Sequence, residues 1–469
     1  MNMCPIVTEW SPLPWEMGAQ PADSTEEPKI MRFICALFVC GVLLPFLLAG
    51  CAVNPVTGRS ELAFYQMSES QEMEIGRKVF PQAVQQMQGE YHDPRLQEYV
   101  QRVGMRLAAV SHRPHLPYEF KVVNDSSPNA FALPGGRIAI TRGLLVDLQN
   151  ESQLAAVLGH EIGHVTARHA AQGIQRGLLL ELGMVILSQT AGDSSYGTVA
   201  RQAGQLAGSL ITSTYSREQE RESDRLGIDY LAGARYNPQG AIELQEYFLK
   251  KSEGERQPLW LEGLFRTHPF SRERMLANEA YIRSVYPRAV KDPAYDTGRE
   301  RFVEATRGLQ ATRKAYEAYD RAGKLEKAGD LAGALDLYRQ ARSAAPEQAL
   351  LNFALGRALL QEKKYSDAGD YLQKAIRLDG GYYGSRLAYG YLLHQTGDNR
   401  GAIQQLKQSL ELYPTLGGAF YLAEAYENGR EFQKAFELYQ QVAAADRNGE
   451  LGKAADQRAR SLALQYGIR

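Results

Sequence analysis

The sequence predicts a mainly α-helical protein of the α+β class, with a small β-sheet in its first half and an α-solenoid in its second half. Two observations give this prediction. Short β-branched segments, 118–124 and 136–141, stand among longer stretches whose apolar residues recur at helical spacing. After about residue 310 the chain repeats itself with a period of 34 residues, which is typical of stacked helical pairs. The 469 residues are enough for two or three domains.

The first 50 residues have the pattern of a leader. An apolar run over 33–48 follows basic residues and is shorter than the roughly 20 residues that a membrane span needs. It ends in Leu-Ala-Gly-Cys at 48–51, which resembles a bacterial lipobox and implies a lipoprotein signal peptide with lipidation of Cys51. An uncleaved anchor or an ordinary signal peptide is the alternative. Met31 is the apparent start, so residues 1–30 are left out of fold predictions.

The composition of the chain indicates its cellular compartment and excludes nucleic acid as its main partner. The chain has 53 Lys and Arg against 54 Asp and Glu, so it lacks the positive field that nucleic-acid binding requires. No cysteine follows Cys51, which excludes an internal disulfide in the mature chain. Ala52 stands where an aspartate would resemble an inner-membrane retention signal. By that resemblance, we expect a lipid anchor in the inner leaflet of the outer membrane, facing the periplasm of a Gram-negative bacterium.

Residues 51–305 are predicted to form the first domain. The two strands are joined by residues 125–136, a segment rich in turn-forming Ser, Pro, Asn and Gly. A helix is predicted to begin after Asn150, which is a plausible N-cap with Gln153 in the capping-box position. The apolar stretch 176–187 is too short for a membrane span and is predicted to be a buried or interfacial helix. The Gly- and Ser-rich stretch 190–209 is predicted to be a mobile lid, with an ordinary small-residue helix contact as the alternative.

Residues 306–469 are predicted to form the repeat domain. Ala334, Ala368 and Ala402 are spaced 34 residues apart, and a fourth, less regular copy includes Ala435. This period, with small residues where paired helices touch, resembles the tetratricopeptide repeat. The resemblance implies a concave surface that binds peptides or protein partners.

The segment GHEIGHVTARH, residues 159–169, contains the candidate metal site. On a helix, His160 and His164 share one face and can reach one ion, whereas Glu161 is displaced around the helix towards a water on that ion. This His-Glu-x-x-His pattern is that of zinc peptidases. A buried polar pair without a function would be costly. His169, five residues past His164, is predicted to lie on the wrong face.

A catalytic zinc usually has three protein ligands, so a third is expected downstream. The segment YSREQERESDRLG, 215–227, offers Glu218, Glu220, Glu222 and Asp224. Glu220 and Asp224 share one helical face, which supplies a ligand together with a carboxylate that can orient a zinc histidine. We therefore predict Glu220 as the metal ligand and Asp224 as the orienting carboxylate of the catalytic site. In the alternative, these acidic residues form a solvated face paired with neighbouring arginines.

The motifs LGHEIGHVTARH, SREQERESD and THPFSRER, together with NAFALPGGRIAITRGLL, resemble the zinc metallopeptidase family that includes the CAAX prenyl protease and the HtpX heat-shock protease. The resemblance covers most of the mature chain, strongly in the first domain and loosely in the repeats. It implies a zincin-type metallopeptidase domain with one Zn²⁺ per subunit.

The resemblance implies further site residues. His268, in Thr267-His268-Pro269, falls where the family has a histidine that can approach the zinc and occupy the place of the water, which is a regulatory role at the catalytic site. A turn cap before proline is the alternative. The GGRIAIT strand would be a sheet edge along which substrate backbone pairs. The implied substrate-binding residues are Asn129, Gly136, Arg137, Ile138 and Arg274.

The function implied by the resemblance is that of a zinc endopeptidase in which Glu161 takes a proton from water and returns it to the leaving amine. The expected clients are unfolded or stalled outer-membrane polypeptides. The outer-membrane β-barrel assembly machinery is the expected partner of the repeats. The alternative is an assembly chaperone or scaffold that acts through the repeats, with a mostly silent peptidase. A purely structural metal site fits poorly, because Glu161 would then be an idle carboxylate.

Overall fold

The computed structural model describes residues 51–53, 56, 58, 60–62, 67–175, 198–252 and 267–468. Strands β1 (Cys51–Val53) and β2 (Ser60–Leu62) form a short antiparallel hairpin. The predicted leader and the predicted helix 176–187 lie outside the described residues, as does the first part of the predicted lid. Among the described helices, none has the length and apolar character needed to cross a membrane.

The first half of the described chain contains a three-stranded sheet surrounded by helices. In chain order its elements are α1 (Glu69–Gln86), α2 (Pro94–Ala108), β3 (Glu119–Val123), β4 (Ala130–Leu133), β5 (Arg137–Thr141), α3 (Arg142–Leu145), α4 (Glu151–Thr166), α5 (His169–Gln175), α6 (Thr198–Ile211), α7 (Arg217–Gly233), α8 (Gln239–Ser252) and α9 (Arg272–Val285). Helix α6 occupies the second part of the segment predicted as a lid. For that part the alternative, an ordinary helix, is what the structure contains.

The two predicted strands correspond to β3 and β5, and a third strand lies between them in sequence. β4 falls within the segment that was predicted to be only a turn, and that part of the prediction was wrong. Its four residues, Ala130–Leu133, are all buried. A run this short, apolar on both faces and enclosed by Asn129 and Pro134, has no alternation that would identify a strand.

The order of strands in the sheet is β3-β5-β4, so β5 is the central strand. β3 pairs with it in parallel and β4 antiparallel. The prediction that the GGRIAIT strand is an edge was therefore wrong. The assignment of Gly136, Arg137 and Ile138 as substrate-binding residues loses that support and stays a prediction. Ile138 is fully buried between strands, and the Arg137 guanidinium donates to the Glu119 carboxylate at 2.5 Å.

The outer edge of β3 is closed by side-chain amides from α2. Gln97 donates to the Val122 carbonyl and accepts from the Val122 amide, each at 2.8 Å. Gln101 accepts from the Phe120 amide at 2.8 Å. These side chains satisfy the groups that another strand would use. Among the described strands of this sheet, β4 is left with the unpaired edge.

Helix α4 begins where the sequence predicts. The Asn150 side chain accepts a hydrogen bond from the Gln153 amide at 2.9 Å, which is an N-cap interaction. The reciprocal half of the predicted capping box is absent, because Gln153 accepts from the Gln149 amide instead. Nearly every residue of α4 is buried, since the helix passes through the centre of the domain.

Glycines bring α4 and α7 into close contact. A Cβ added at Gly163 would lie 2.9 Å from the backbone of Ser223, and one added at Gly227 would lie 2.9 Å from the His160 amide nitrogen. Contacts this short are sterically forbidden, so only glycine permits the crossing. The crossing brings the acidic face of α7 next to the histidine face of α4.

The repeat half consists of antiparallel helix pairs. Its helices are α10 (Arg299–Lys327), α11 (Leu331–Ala344), α12 (Ala349–Gln361), α13 (Tyr365–Leu378), α14 (Tyr383–Gln395), α15 (Asn399–Leu412), α16 (Leu416–Asn428), α17 (Phe432–Ala445) and α18 (Glu450–Tyr466). The phased alanines Ala334, Ala368, Ala402 and Ala435 are all fully buried. The predicted fold class, a mainly helical domain with a small sheet followed by helical repeats, is confirmed.

Helix α1 joins the two halves. The Gln85 side chain donates to the Gly381 carbonyl at 2.7 Å and accepts from the Tyr383 amide at 3.0 Å. The neighbouring Gln86 donates to the Tyr413 hydroxyl at 3.0 Å. The predicted domain boundary at 305/306 falls inside the continuous helix α10, so the boundary stays a prediction.

Candidate metal centre

Helices α4 and α7 and the segment before α9 bring four candidate ligands together. The ligand atoms of His160, His164, Glu220 and His268 all lie within 4.8 Å of one another. The Nε2 atoms of the two α4 histidines are 3.1 Å apart, and Oε1 of Glu220 lies 3.4 Å from Nε2 of His164. Nδ1 of His268 is 3.0 Å from that same carboxylate oxygen.

These separations match the donor set of a zinc ion. Zinc bonds of about 2.0–2.1 Å in a tetrahedron place the ligand atoms about 3.3 Å from one another. The observed spacings of 3.1, 3.4 and 3.0 Å cluster around that value. Imidazole nitrogen with carboxylate oxygen is also a set that zinc prefers. The residues therefore fit the ion that the sequence predicts.

Asp224 lies behind His160. Its Oδ1 is 3.0 Å from Nδ1 of His160, so the carboxylate can accept the outer N–H while Nε2 faces the ligand cluster. This arrangement fixes the ring orientation of a metal histidine. It is the placement that the sequence analysis assigned to Asp224; its role in the reaction stays a prediction.

Arg274 holds the acidic residues of the site. Its guanidinium donates to both oxygens of Asp224, at 2.9 and 2.8 Å, and to Oε2 of Glu220 at 2.7 Å. The side chain is buried, and its contacts offset the cost of burying two carboxylates. These contacts support a positioning role for Arg274, and the substrate contact predicted for it stays a prediction.

Glu161 lies beside the ligand cluster. The contacts of Arg274 described above do not involve it. It is 2% exposed, and its Oε2 has no hydrogen-bond partner among the described residues. Burial raises the pKa of Glu161, although the nearby His268 and His160 act in the opposite direction. A carboxylate with a raised pKa and a free oxygen has the properties of a general base.

The pKa values of His268, Glu220 and Asp224 reflect the charges that surround them in the site. Burial lowers the pKa of His268, but Glu220 and Glu161 outweigh it and raise that pKa to about 9. Burial opposes ionisation of Glu220 and Asp224 as well. The surrounding histidines nevertheless hold the pKa of Glu220 well below its usual range, and Arg274 and His160 do the same for Asp224. Two ionised carboxylates facing the histidines are an environment that a divalent cation would stabilise.

The structure adds His169, which the sequence analysis left without a role. It is not one of the clustered ligands, but its Nδ1 lies 2.9 Å from Nδ1 of His164. The prediction that it lies on the wrong face to bind the metal assumed that α4 continues through residue 169. Instead Arg168 has a left-handed backbone with φ 64°, which ends α4 and turns His169 back. The Tyr215 ring, which also carried no signal in the sequence, stacks on His164 at 3.8 Å between centroids.

A small apolar recess of about 60 Å³ lies next to Glu161. Its wall includes Ala130 of β4, Val157 and Phe248. Ala130, Glu161, His160 and His268 therefore line one cleft. Asn129, at the start of β4, is buried with its Oδ1 lacking a partner among the described residues.

Comparisons with known proteins agree with this geometry. Residues 94–281 match the model of peptidase family M48, and residues 315–383 and 359–416 match tetratricopeptide repeat models. The M48 match contains α4 and α7, and with them His160, His164 and Glu220. The ion assigned to this site is zinc.

Several curated relatives are proteases. The chain is 27% identical over 421 residues to the "Beta-barrel assembly-enhancing protease" of Escherichia coli K12, covering 87% of this chain and 80% of that protein. It is 34% identical over 167 residues to the "Mitochondrial metalloendopeptidase OMA1" of Arabidopsis thaliana, covering 36% of this chain and 32% of that protein. A Vibrio cholerae relative is 30% identical, and the chain spans 46% of its length.

Solved structures that resemble the chain are repeat proteins. One is described as "Crystal structure of YrrB: a TPR protein with an unusual peptide-binding site". It is 19% identical, with a TM-score of 0.29, and the match covers 45% of this chain and 99% of that chain. Another, "Crystal structure of MamA protein", is 19% identical with a TM-score of 0.26 and covers 33% of this chain and 96% of its own.

Proposed function

We propose that this chain, which carries a zinc metallopeptidase domain of family M48 followed by tetratricopeptide repeats, is a periplasmic endopeptidase that degrades misfolded or stalled outer-membrane proteins and assists their assembly. The observation that carries the proposal is the cluster of His160, His164 and Glu220 beside Glu161, whose Oε2 has no hydrogen-bond partner among the described residues. The periplasmic setting and the client class rest on the E. coli relative, whose name describes β-barrel assembly.

The ligand residues have a defined task in this proposal. His160, His164 and Glu220 hold the ion, and Asp224 and Arg274 keep two of them in place. Zinc bound there supplies Lewis-acid chemistry, which polarises a carbonyl and lowers the pKa of water towards about 7.

Glu161 moves the proton. Its unpartnered Oε2 accepts a proton from the attacking water, and the raised pKa lets the protonated form persist until the peptide nitrogen departs. Glu161 then donates that proton to the leaving amine. Because burial excludes bulk water from Glu161, the proton is retained between the two steps.

The client is proposed to bind as an extended strand along β4. Among the described strands, this is the edge that remains after β5 is paired on both sides and β3 is closed by Gln97 and Gln101. Asn129, with its unpartnered Oδ1, would accept a hydrogen bond from the client. Strand addition requires a backbone that is not already paired, so unfolded or unassembled β-barrel chains are favoured over folded proteins.

His268 supports a second function, that of an assembly chaperone or scaffold with a silent peptidase. Its Nδ1 lies 3.3 Å from His160 and 3.0 Å from Glu220, where it completes a tetrahedral donor set and occupies the position that a water needs. We propose that His268 gates the site: the peptidase is silent with His268 at the ligand cluster and active when it withdraws. The repeats would meanwhile hold the assembly machinery or its clients.

The test compares variants of the chain purified without its leader, by zinc content and by cleavage of casein. We expect one equivalent of zinc in the unmodified protein and in Glu161→Gln, with cleavage lost in the latter. His268→Ala is expected to cleave faster. Glu218→Gln, which changes an exposed acidic residue of α7, is the control and should cleave normally. Cleavage retained in Glu161→Gln would exclude its role, and zinc without cleavage in every variant would favour the scaffold.

The membrane anchor is a separate part of the proposal. The lipobox at 48–51 supports lipidation of Cys51, and acyl chains there would hold the protein at the inner leaflet of the outer membrane. Labelling of cells with radioactive palmitate should mark the full-length protein and not Cys51→Ser. An unlabelled protein in the soluble periplasmic fraction would contradict the anchor.

A further inference from the structure

The two α4 histidines differ in what holds their outer nitrogen. His160 is held directly by a carboxylate, since its Nδ1 lies 3.0 Å from Asp224. Among the described residues, no carboxylate is recorded at the corresponding Nδ1 of His164. Its Nδ1 instead lies 2.9 Å from Nδ1 of His169, and Nε2 of His169 lies 3.0 Å from Oε2 of Glu222. A second imidazole is therefore inserted between His164 and its carboxylate.

The hydrogen bonds that link His164, His169 and Glu222 allow only one assignment of donors and acceptors. A histidine that binds a metal through Nε2 must carry its proton on Nδ1. The Nδ1–H of His164 therefore donates, and Nδ1 of His169 must accept. A neutral His169 then carries its own proton on Nε2 and donates it to the Glu222 carboxylate. Each atom has a partner, and reversing either bond would leave two donors or two acceptors facing each other.

The surroundings hold His169 in this orientation. The residue is 1% exposed, and Ser223 of α7 places its Oγ 3.4 Å from Nδ1. The left-handed turn at Arg168 is stabilised by a hydrogen bond from its Nε to Glu72 at 2.5 Å. On the other side of His164, the Tyr215 ring stacks at an interplanar angle of 29°. His164 is thus fixed by hydrogen bonding at one edge and by stacking on one face.

We propose that His169 and Glu222 are positioning residues that fix the tautomer and ring orientation of His164, and so set the zinc affinity of the site. They do for His164 what Asp224 does for His160, across one additional imidazole. The inference rests on the proposed zinc peptidase function, but it concerns ion binding and is measured without substrate. Outer partners of zinc histidines typically contribute about 10–100-fold to metal affinity.

The experiment measures zinc affinity of the full chain by competition with a chelator of known affinity. His169→Leu keeps the apolar volume and removes the acceptor, so binding should weaken by about 10–100-fold. His169→Asn restores an acceptor close to the position of Nδ1, and its affinity should return to within a few-fold of the unmodified protein. Glu222→Gln retains a hydrogen-bond partner without the charge and should weaken binding by an intermediate factor.

A matched control comes from the repeats. His394 pairs with Glu424 at 3.4 Å and is 9% exposed at its side chain, so His394→Leu removes a comparable histidine–glutamate pair far along the chain from the ligands. Its zinc affinity should be unchanged. Thermal unfolding of each variant without zinc reports any general loss of structure.

Several outcomes would overturn the proposal. Equal zinc affinity in His169→Leu and the unmodified protein would do so, as would an Asn variant that binds as weakly as the Leu variant. If His169→Leu does not fold, Glu222→Gln decides, and unchanged affinity there rejects the pair. An unmodified protein that binds no zinc contradicts the proposed function itself, which is a distinguishable result.

Discussion

Two helix crossings in this protein use the same packing device with different consequences. In the peptidase half, α4 crosses α7 at Gly163 and Gly227, where an added Cβ at Gly227 would lie 2.9 Å from the His160 backbone. In the repeats, α12 crosses α13 at Gly356, where an added Cβ would lie 2.8 Å from the Leu372 side chain. Gly227 faces backbone atoms, which cannot move aside. Gly356 faces the Leu372 side chain, which can rotate.

The groups that the two crossings bring together differ as well. The α4–α7 crossing unites buried ionic groups that are distant in sequence, whereas the α12–α13 crossing joins apolar groups of neighbouring helices. A change in packing at the α4–α7 crossing displaces the metal ligands and therefore affects catalysis. A change in packing at the α12–α13 crossing remains local, because each repeat contacts mainly its neighbours. This difference leads to four predictions.

The largest effect is expected from Arg274→Met. Removing the guanidinium leaves Asp224 and Glu220 as buried carboxylates without their arginine partner, and breaking such a pair typically costs about 3–5 kcal/mol. We expect the free energy of unfolding, measured by denaturant titration without zinc, to fall by that amount. Arg339→Met, which removes an exposed ion pair with Asp336 in the repeats, should change it by less than about 1 kcal/mol. Equal losses in both variants would contradict the difference between the two regions.

The next effect is expected from Gly227→Ala. The added methyl group must push α7 away from the His160 backbone, which displaces Glu220 and Asp224 from the α4 histidines. A displacement on the order of 1 Å at a catalytic site costs about 100-fold in rate. Casein cleavage should fall by that factor, with zinc affinity reduced in parallel. Full activity would mean that the close crossing does not position the ligands.

A smaller effect is expected from Gly356→Ala. Leu372 must rotate to admit the methyl group, and overpacking of this kind costs about 1–3 kcal/mol. Thermal unfolding should show this loss, while zinc affinity and casein cleavage remain those of the unmodified protein. Reduced cleavage in the folded variant would show that repeat packing reaches the catalytic site.

The smallest effect is expected from Glu326→Gln. Its carboxylate receives two hydrogen bonds of 2.7 Å from Arg357. Burial raises the pKa of Glu326, but Arg357 outweighs it and the pKa is lowered. The stabilisation is therefore present above the unfolded pKa of about 4.3 and is lost as pH falls through the lower folded value. We expect a loss of about 1 kcal/mol at pH 7 that begins to shrink below about pH 4.3 and disappears below the folded pKa.

The matched control for that experiment is Glu347→Gln. Glu347 pairs with Lys374, and its side chain is 73% exposed. An exposed pair contributes little at any pH, so the unfolding curves of this variant and of the unmodified protein should coincide from pH 7 to about pH 4. A pH-independent loss in Glu326→Gln would show that packing, and not the charge, is what Glu326 contributes.

Local patterns were sufficient to predict part of the molecule. The spacing of His160 and His164 and the shared face of Glu220 and Asp224 are set by helix geometry, so these residues could be anticipated before any fold was known. His268 was expected only from the family resemblance. The buried alanines Ala334, Ala368 and Ala402 follow in the same way from a fixed period. Where a function depends on residues within one or two helical turns, the sequence alone places them.

Other features depend on geometry that no local pattern records. The position of His169 follows from the single left-handed residue Arg168, which redirects the chain after α4. The central place of β5 follows from the order of pairing, and a strand has the same side-chain alternation at the centre of a sheet as at its edge. Tyr215 reaches His164 only because α7 is drawn against α4. These residues could not be assigned before the tertiary structure.

The closure of β3 by Gln97 and Gln101 has a consequence for stoichiometry. Clients that expose unpaired strands readily template one another, and a sheet open on both sides would be extended by them in both directions. With one side occupied by its own amide side chains, this sheet has one open edge among its described strands. Under the function proposed above, the protein would then pair with one client strand at a time. A protein that handles aggregation-prone chains would thereby be kept from nucleating their aggregation.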